Sequence, residues 1–138
     1  EVIEARAASS PFAADIRMPG FIDEAALPLW YASAEGLVFP SLIEGFGLPV
    51  LEALACGCRV ATSDRGSLPE VGSDAALYFD PENVHEISST MTKLCTENAL
   101  EREARLAKGR SHASRFDWGR AAMATCQSYL ETARLTDK

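Results

Sequence analysis

The sequence has no surplus of positive charge to offer a polyanion. Asp and Glu number 20 against 13 Lys and Arg, a net charge of −7. That balance excludes nucleic acid and anionic membrane surfaces as general partners. It also requires that any phosphate bound here be neutralised locally. Nothing approaches the roughly 18 consecutive apolar residues of a membrane-spanning helix. The opening Glu1-Val2-Ile3-Glu4-Ala5-Arg6 has neither the basic start nor the apolar stretch of a secretory leader. It also lacks an initiator Met, so the chain is expected to be a fragment of a longer one. The four cysteines, Cys56, Cys58, Cys95 and Cys126, form no CxxC pair. They are expected to be cytosolic free thiols serving as small hydrophobes, not a disulfide framework or a metal site. Neither a G-x-S-x-G elbow nor a P-loop is present. The two histidines, His85 and His112, read as surface or interface residues.

What is there suffices for one domain. The 138 residues are 47% hydrophobic, enough to bury a core. The pattern alternates strand and helix. A helix remnant is expected over 1–8 and a short strand over Asp15–Met18 before the Pro19-Gly20 turn. Asp23 is placed to cap a helix running through Ala25, Leu29, Trp30 and Ala34. Strands are expected at Leu37–Phe39, Arg59–Thr62 and Ala75–Phe79. Helices are expected from about Leu48 to Gly57, as a short turn over Leu68–Val71, and near 84–96, 99–114 and 118–132. Four strands separated by helices predict an α/β fold, a Rossmann-like parallel sheet with flanking helices and right-handed crossovers. Trp30, Trp118, Cys56 and Cys58 are expected in the core. Lys108–Arg110 reads as a solvated helix face, and Arg65 as a solvated surface arginine.

One segment carries chemistry: Pro40-Ser41-Leu42-Ile43-Glu44-Gly45-Phe46-Gly47-Leu48-Pro49-Val50-Leu51-Glu52-Ala53. An apolar strand precedes it, and a run of helix formers ending at Gly57 follows. Gly45 and Gly47 permit positive φ and close backbone approach. Pro49 fits a first helical turn, where a missing N–H costs nothing. A strand, a glycine turn and a helix N-terminus together aim free N–H groups and the helix dipole at one place, an anion site. Carboxylates beside such a site fit a ligand that also carries hydroxyl groups, and a nucleotide sugar has both. Gly47 is placed at the sheet edge, outside a core built by Leu37, Phe39, Leu51 and Val60. A side chain there is expected to block a ligand without unfolding the domain.

This arrangement resembles the donor-binding, C-terminal half of the GT-B-fold retaining glycosyltransferases, whose mark is a Glu-x7-Glu motif. The matching residues are Phe39-Pro40-Ser41, Glu44-Gly45-Phe46-Gly47-Leu48-Pro49, Glu52-Ala53, Ala55-Cys56-Gly57 and Gly66-Ser67-Leu68-Pro69-Glu70. The match extends upstream to Ile16–Ile22, and downstream through Ala75–Pro81 to Phe116-Asp117-Trp118. The resemblance implies a nucleotide diphosphate sugar as substrate, retaining transfer of a hexosyl unit, no cofactor and no metal. It implies that Glu44 is catalytic, holding hydroxyls of the transferred sugar and placing the anomeric carbon. Glu52 would take the two ribose hydroxyls. The N–H groups of Phe46, Gly47 and Leu48, with Gly45, would face the diphosphate and sugar, and Gly20, Phe21 and Ile22 the nucleobase. It further implies that residues 1–138 are a partial donor-binding domain. The acceptor-binding N-terminal domain and the first strands would be absent, and with them the Arg and Lys that clamp the diphosphate; no residue here matches that pair. The sheet edge so exposed is available for dimerisation. Localisation is expected to be cytoplasmic, either free or peripheral at the inner membrane face through the missing domain.

Two alternatives stand beside this reading. One is a non-catalytic nucleotide-sugar-binding or interaction module that keeps the fold without the clamp. The other is a dinucleotide-binding Rossmann domain. Gly45-x-Gly47 begins a G-x-G-x-x-G, and Asp64 ends the next strand. The third glycine position is Val50, however, and Pro49 breaks the pattern.

Overall fold

The computed structural model describes residues 2–136. The chain runs α1 (Val2–Ala8), α2 (Leu27–Ser33), β1 (Leu37–Phe39), α3 (Leu48–Ala55), β2 (Val60–Ser63), α4 (Leu68–Gly72), β3 (Ala76–Phe79), α5 (Val84–Thr96), α6 (Ala99–Ala113) and α7 (Trp118–Thr136), with single 3-10 turns at Ala13–Asp15 and Ser73–Ala75. The strands form one parallel sheet in the order β1-β2-β3. Leu37 pairs with Val60, and Val60 with Ala76. Each crossover between neighbouring strands carries a helix, as parallel pairing demands. Central β2 is buried along its whole length. On one face of the sheet, Val50, Ala53 and Leu54 of α3 pack with Val60, Leu68, Val71 and Ala113. On the other, Ala61 and Phe79 meet Leu94 of α5. This is the predicted Rossmann-like α/β architecture. Val60 lies in the core, with Leu37, Phe39 and Leu51 packed half-buried against it.

The local signals explain most boundaries. Asn83 Oδ1 accepts from the N–H groups of His85 and Glu86 to start α5. Asn98 and Glu101 form a reciprocal capping box that starts α6. Asp23 does accept a backbone bond, from the Ala25 N–H at 2.9 Å, but α2 begins only at Leu27. Pro28 is the reason: it fits the first turn and would remove a ladder bond if the helix began at Asp23.

The expectations for Asp15–Met18, the tryptophans and the cysteines need correction. The Asp15–Met18 segment is not a strand: Asp15 closes a 3-10 turn and Ile16–Met18 are irregular. A strand needs a ladder partner, and among the described residues none is offered to it. Pro19 and a left-handed Gly20 (φ +73°) then turn the chain away. The described sheet therefore has three strands. The tryptophans are not core anchors. Trp30 is 51% exposed, and Trp118, at the start of α7, is 81% exposed. Tyr31, next to Trp30 on α2, packs on the core instead. Of the cysteines, all free, Cys58 is buried and Cys56 half-buried, but Cys95 and Cys126 are exposed and fill no gap in the core. Among the described residues, no helix is long and apolar enough to cross a membrane.

Candidate functional site

The carboxyl ends of β1 and β2 bring two loops together, the position at which open parallel sheets present ligands. The first loop is the Pro40–Gly47 turn. Gly47 has φ +103° and stands as the N-cap of α3, a conformation that favours glycine. The turn therefore delivers its backbone donors at the helix mouth. The N–H groups of Val50 and Leu51 bond to the Gly47 carbonyl, and Pro49 has none to place. The N–H groups of Phe46, Gly47 and Leu48 find no acceptor among the described residues. Three orphan donors at a helix N-terminus are groups of the kind that can receive an anion.

The two glycines differ. Gly45 does not use the positive φ that glycine permits, and a Cβ there would meet nothing within 4 Å. It keeps its surroundings open and relieves no strain. Gly47 is buried, and a Cβ on it would sit 2.7 Å from Leu68 Cδ2. Leu68 is fully buried. The expectation that Gly47 lies outside the core is thus overturned: the turn rests on α4.

The second loop holds the first in place. Gly66, at φ +59°, lies so close that a Cβ would be 3.4 Å from the Glu44 carbonyl oxygen. Ser67 Oγ reaches the carbonyl oxygens of Glu44 (3.2 Å) and Phe46 (2.8 Å). These contacts occupy the carbonyls of the turn and leave its amides unpaired. Sequence reading matched Gly66-Ser67 to a family pattern without assigning them this work. Beside them Arg65 is ion-paired: it contacts Asp64 at 3.1 Å, Asp80 at 2.8 Å and Glu82 at 3.8 Å. These carboxylates hold its charge. Hydrogen bonding by Asp80, and Asp80's charge, push the Arg65 guanidinium up.

Glu44 is half-buried within the turn, and Glu52 is exposed one turn into α3. Glu52 has a partner that sequence reading missed. The Tyr31 hydroxyl donates to Glu52 Oε2 at 3.2 Å. Burial, and then the Glu52 charge, push the Tyr31 phenol up to about 12, so it is a donor throughout the physiological range. Phe21 is 92% exposed, not in the core. Among the described residues, no hydrogen bond joins Gly20, Phe21 or Ile22 to the Glu44 turn. A cleft of about 490 Å³ opens next to the turn, between Phe46, Leu48 and Leu51 on one side and Phe116, Trp118 and Ala121 on the other. Phe46 meets Phe116 edge-on at 5.8 Å. Among the described residues, no group of three or more His, Cys, Asp or Glu is placed to hold a metal ion.

The chain matches the family described as glycosyl transferases group 1 over residues 1–111. It is 40% identical over 114 residues to O-antigen chain mannosyltransferase B of Escherichia coli, covering 83% of this chain and 30% of that protein. It is 36% identical over 108 residues to D-inositol 3-phosphate glycosyltransferase of Streptomyces bingchenggensis, covering 76% and 23%. Against glycogen synthase of Mycobacterium tuberculosis it is 34% identical over 121 residues, covering 86% and 29%. The chain spans less than a third of the length of these curated relatives.

Proposed function

The chain belongs to the glycosyl transferases group 1 family, and from that premise we propose that it is the donor-binding domain of a retaining glycosyltransferase that moves a hexosyl unit from a nucleotide diphosphate sugar to an acceptor. The observation that carries this reading is the set of unpaired Phe46, Gly47 and Leu48 amides between two carboxylates. The amides and the α3 dipole suit the diphosphate. Glu52, anchored by Tyr31, suits the vicinal hydroxyls of the ribose. Glu44, fixed in the turn by Ser67, suits the hydroxyls of the transferred sugar, and the Gly20–Ile22 loop the nucleobase. No metal enters this reading.

The reaction breaks the bond from the anomeric carbon to the diphosphate and forms one to the acceptor oxygen on the same face. The acceptor proton passes to the departing diphosphate, so no protein nucleophile is required. The catalytic work is then positioning, together with stabilising charge on the leaving group. Neither carboxylate is cast as a glycosidase acid or nucleophile. Acceptor recognition and the remaining positive charge are assigned to parts of the protein outside this chain. One relative is a mannosyltransferase by name, so a mannosyl donor is the first to try, followed by glucosyl donors. The test is Glu44→Gln in the native full-length protein. Turnover should fall by about 10²–10³-fold, as when an oriented transition-state partner is lost, with affinity for the free nucleoside diphosphate near wild type. Turnover within a few-fold of wild type would remove Glu44 from the catalytic site.

A further inference from the structure

The Glu52 side chain has one hydrogen-bond partner among the described residues, and it comes from another helix. Tyr31 lies on α2, 21 residues earlier, and its hydroxyl donates to Oε2 at 3.2 Å. The two ends of this bond are unlike. The Tyr31 ring packs half-buried on the core cluster of α3 and β2, so its oxygen is fixed by the fold. The Glu52 side chain is exposed and on its own would sample several rotamers. Freezing such a side chain when a ligand arrives costs affinity. A carboxylate has about four lone-pair sites. The phenol occupies one, leaving enough for a ligand that donates twice.

We propose that Tyr31 is a positioning residue, one that presets the Glu52 carboxylate to receive the two hydroxyls of a ribose diol. This rests on the reading of Glu52 as the ribose ligand. Tyr31 itself need not touch the nucleotide. Its raised phenol pKa keeps the donating proton in place at any pH at which the protein would work. Nothing in the sequence marks the pair, because the spacing is not that of one helix face.

Calorimetry on the native full-length protein tests it, with Tyr31→Phe, Glu52→Ala and the double variant. The probes are ADP, GDP and UDP, continuing with the tightest and its 2′,3′-dideoxy counterpart, which has no diol. Tyr31→Phe keeps the ring, and a melting curve checks that packing survives. The expected result is a loss of about three- to tenfold in affinity for the ribonucleotide, the range of one net hydrogen bond. Little change is expected for the dideoxynucleotide, and no further loss when Tyr31→Phe is added to Glu52→Ala. If Glu52→Ala weakens binding and Tyr31→Phe does not, the positioning role is overturned while the site stands. Equal losses for both nucleotides would also overturn it, since a packing role does not distinguish a diol. If Glu52→Ala itself leaves affinity unchanged, the ribose assignment falls, and the proposal with it.

Discussion

The two ends of the parallel sheet are built on opposite terms. At the carboxyl ends of β1 and β2, backbone donors at Phe46, Gly47 and Leu48 are left without acceptors, and Arg65 beside them is about half exposed. At the amino ends, the central charges are buried and Glu35 reaches them from the surface. Arg59, just before β2, is 3% exposed. Its guanidinium donates to the Leu94 carbonyl and to the Glu35 carbonyl at 3.0 Å, and pairs with the Glu35 carboxylate at 2.5 Å and Glu97 at 3.7 Å. Glu97, equally buried, takes Arg105 at 2.6 Å, and Arg105 reaches the Ala75 carbonyl before β3. This network ties all three strand starts to the α5–α6 junction. One end is closed by ion pairs and hydrogen bonds, with Glu97 Oε2 buried beside Arg59 but without a hydrogen bond of its own, and the other leaves backbone donors unpaired. The difference separates what holds the domain together from what is available to a ligand.

Arg59→Ala should break the closed end and give the largest effect. It leaves Glu97 buried with Arg105 still paired to it, so the cost should lie near the low end of the about 3–5 kcal/mol seen when a buried pair loses one partner. For a chain of this size the melting temperature should fall by roughly 10 °C. Nucleotide affinity of the folded protein should stay near wild type. A melting shift of only a degree or two would show that the amino end is not closed by this network.

Gly47→Val should be next, and it crosses the boundary between the two ends. The left-handed backbone (φ +103°) and the approach to Leu68 together predict a loss of about 2–4 kcal/mol. Donor binding should be lost as well, because a side chain forced against Leu68 displaces the backbone whose N–H groups form the cradle. Gly45→Ala is the control: its Cβ meets open space, so melting should hardly move. Thermal melting and nucleotide titration of both variants give the answer. If Gly47→Val melts like wild type, the turn does not rest on the core. If Gly45→Ala is equally damaging, the two glycines are not distinct.

The open end was the legible one. Its strand, glycines, proline and helix lie within 37–57, and each acts on its neighbours in the chain, so local rules read them. Gly47's burial was not legible, because Leu68 lies a helix, a strand and a loop away. The amino-end network and the Tyr31–Glu52 bond were hidden for the same reason. Arg59 and Glu35 are 24 residues apart, and Arg105 and Ala75 are 30. A charged residue gives no local sign that the fold will bury it. Asp15–Met18 was misread as a strand in the opposite way: its pattern suits a strand, but pairing is decided by what lies alongside. The tryptophans show that hydrophobicity sets a tendency and not a location, since α7 leaves Trp118 outside.

Arg65→Ala should give the smallest effect and shows where the two ends differ in electrostatics. Arg65 and Asp80 are solvated, so their attraction is screened by salt, whereas the Arg59 network is shielded from it. The Asp80 carboxyl is held below the usual carboxylate range, first by the Glu82 backbone N–H and then by Arg65. A depressed carboxylate pKa contributes stability above its unfolded value, near 3.9, and loses it as pH falls through the folded value. The melting difference between wild type and Arg65→Ala should therefore be small at neutral pH and shrink as pH drops below about 4. It should also vanish near 1 M salt, where the screening length is about 3 Å. The Arg59→Ala difference should persist in that salt. Melting of both variants across pH and salt makes the comparison. If Arg65→Ala proved as costly as Arg59→Ala and insensitive to salt, the carboxyl end would be held by internal pairing too, and the contrast between the two ends would fail.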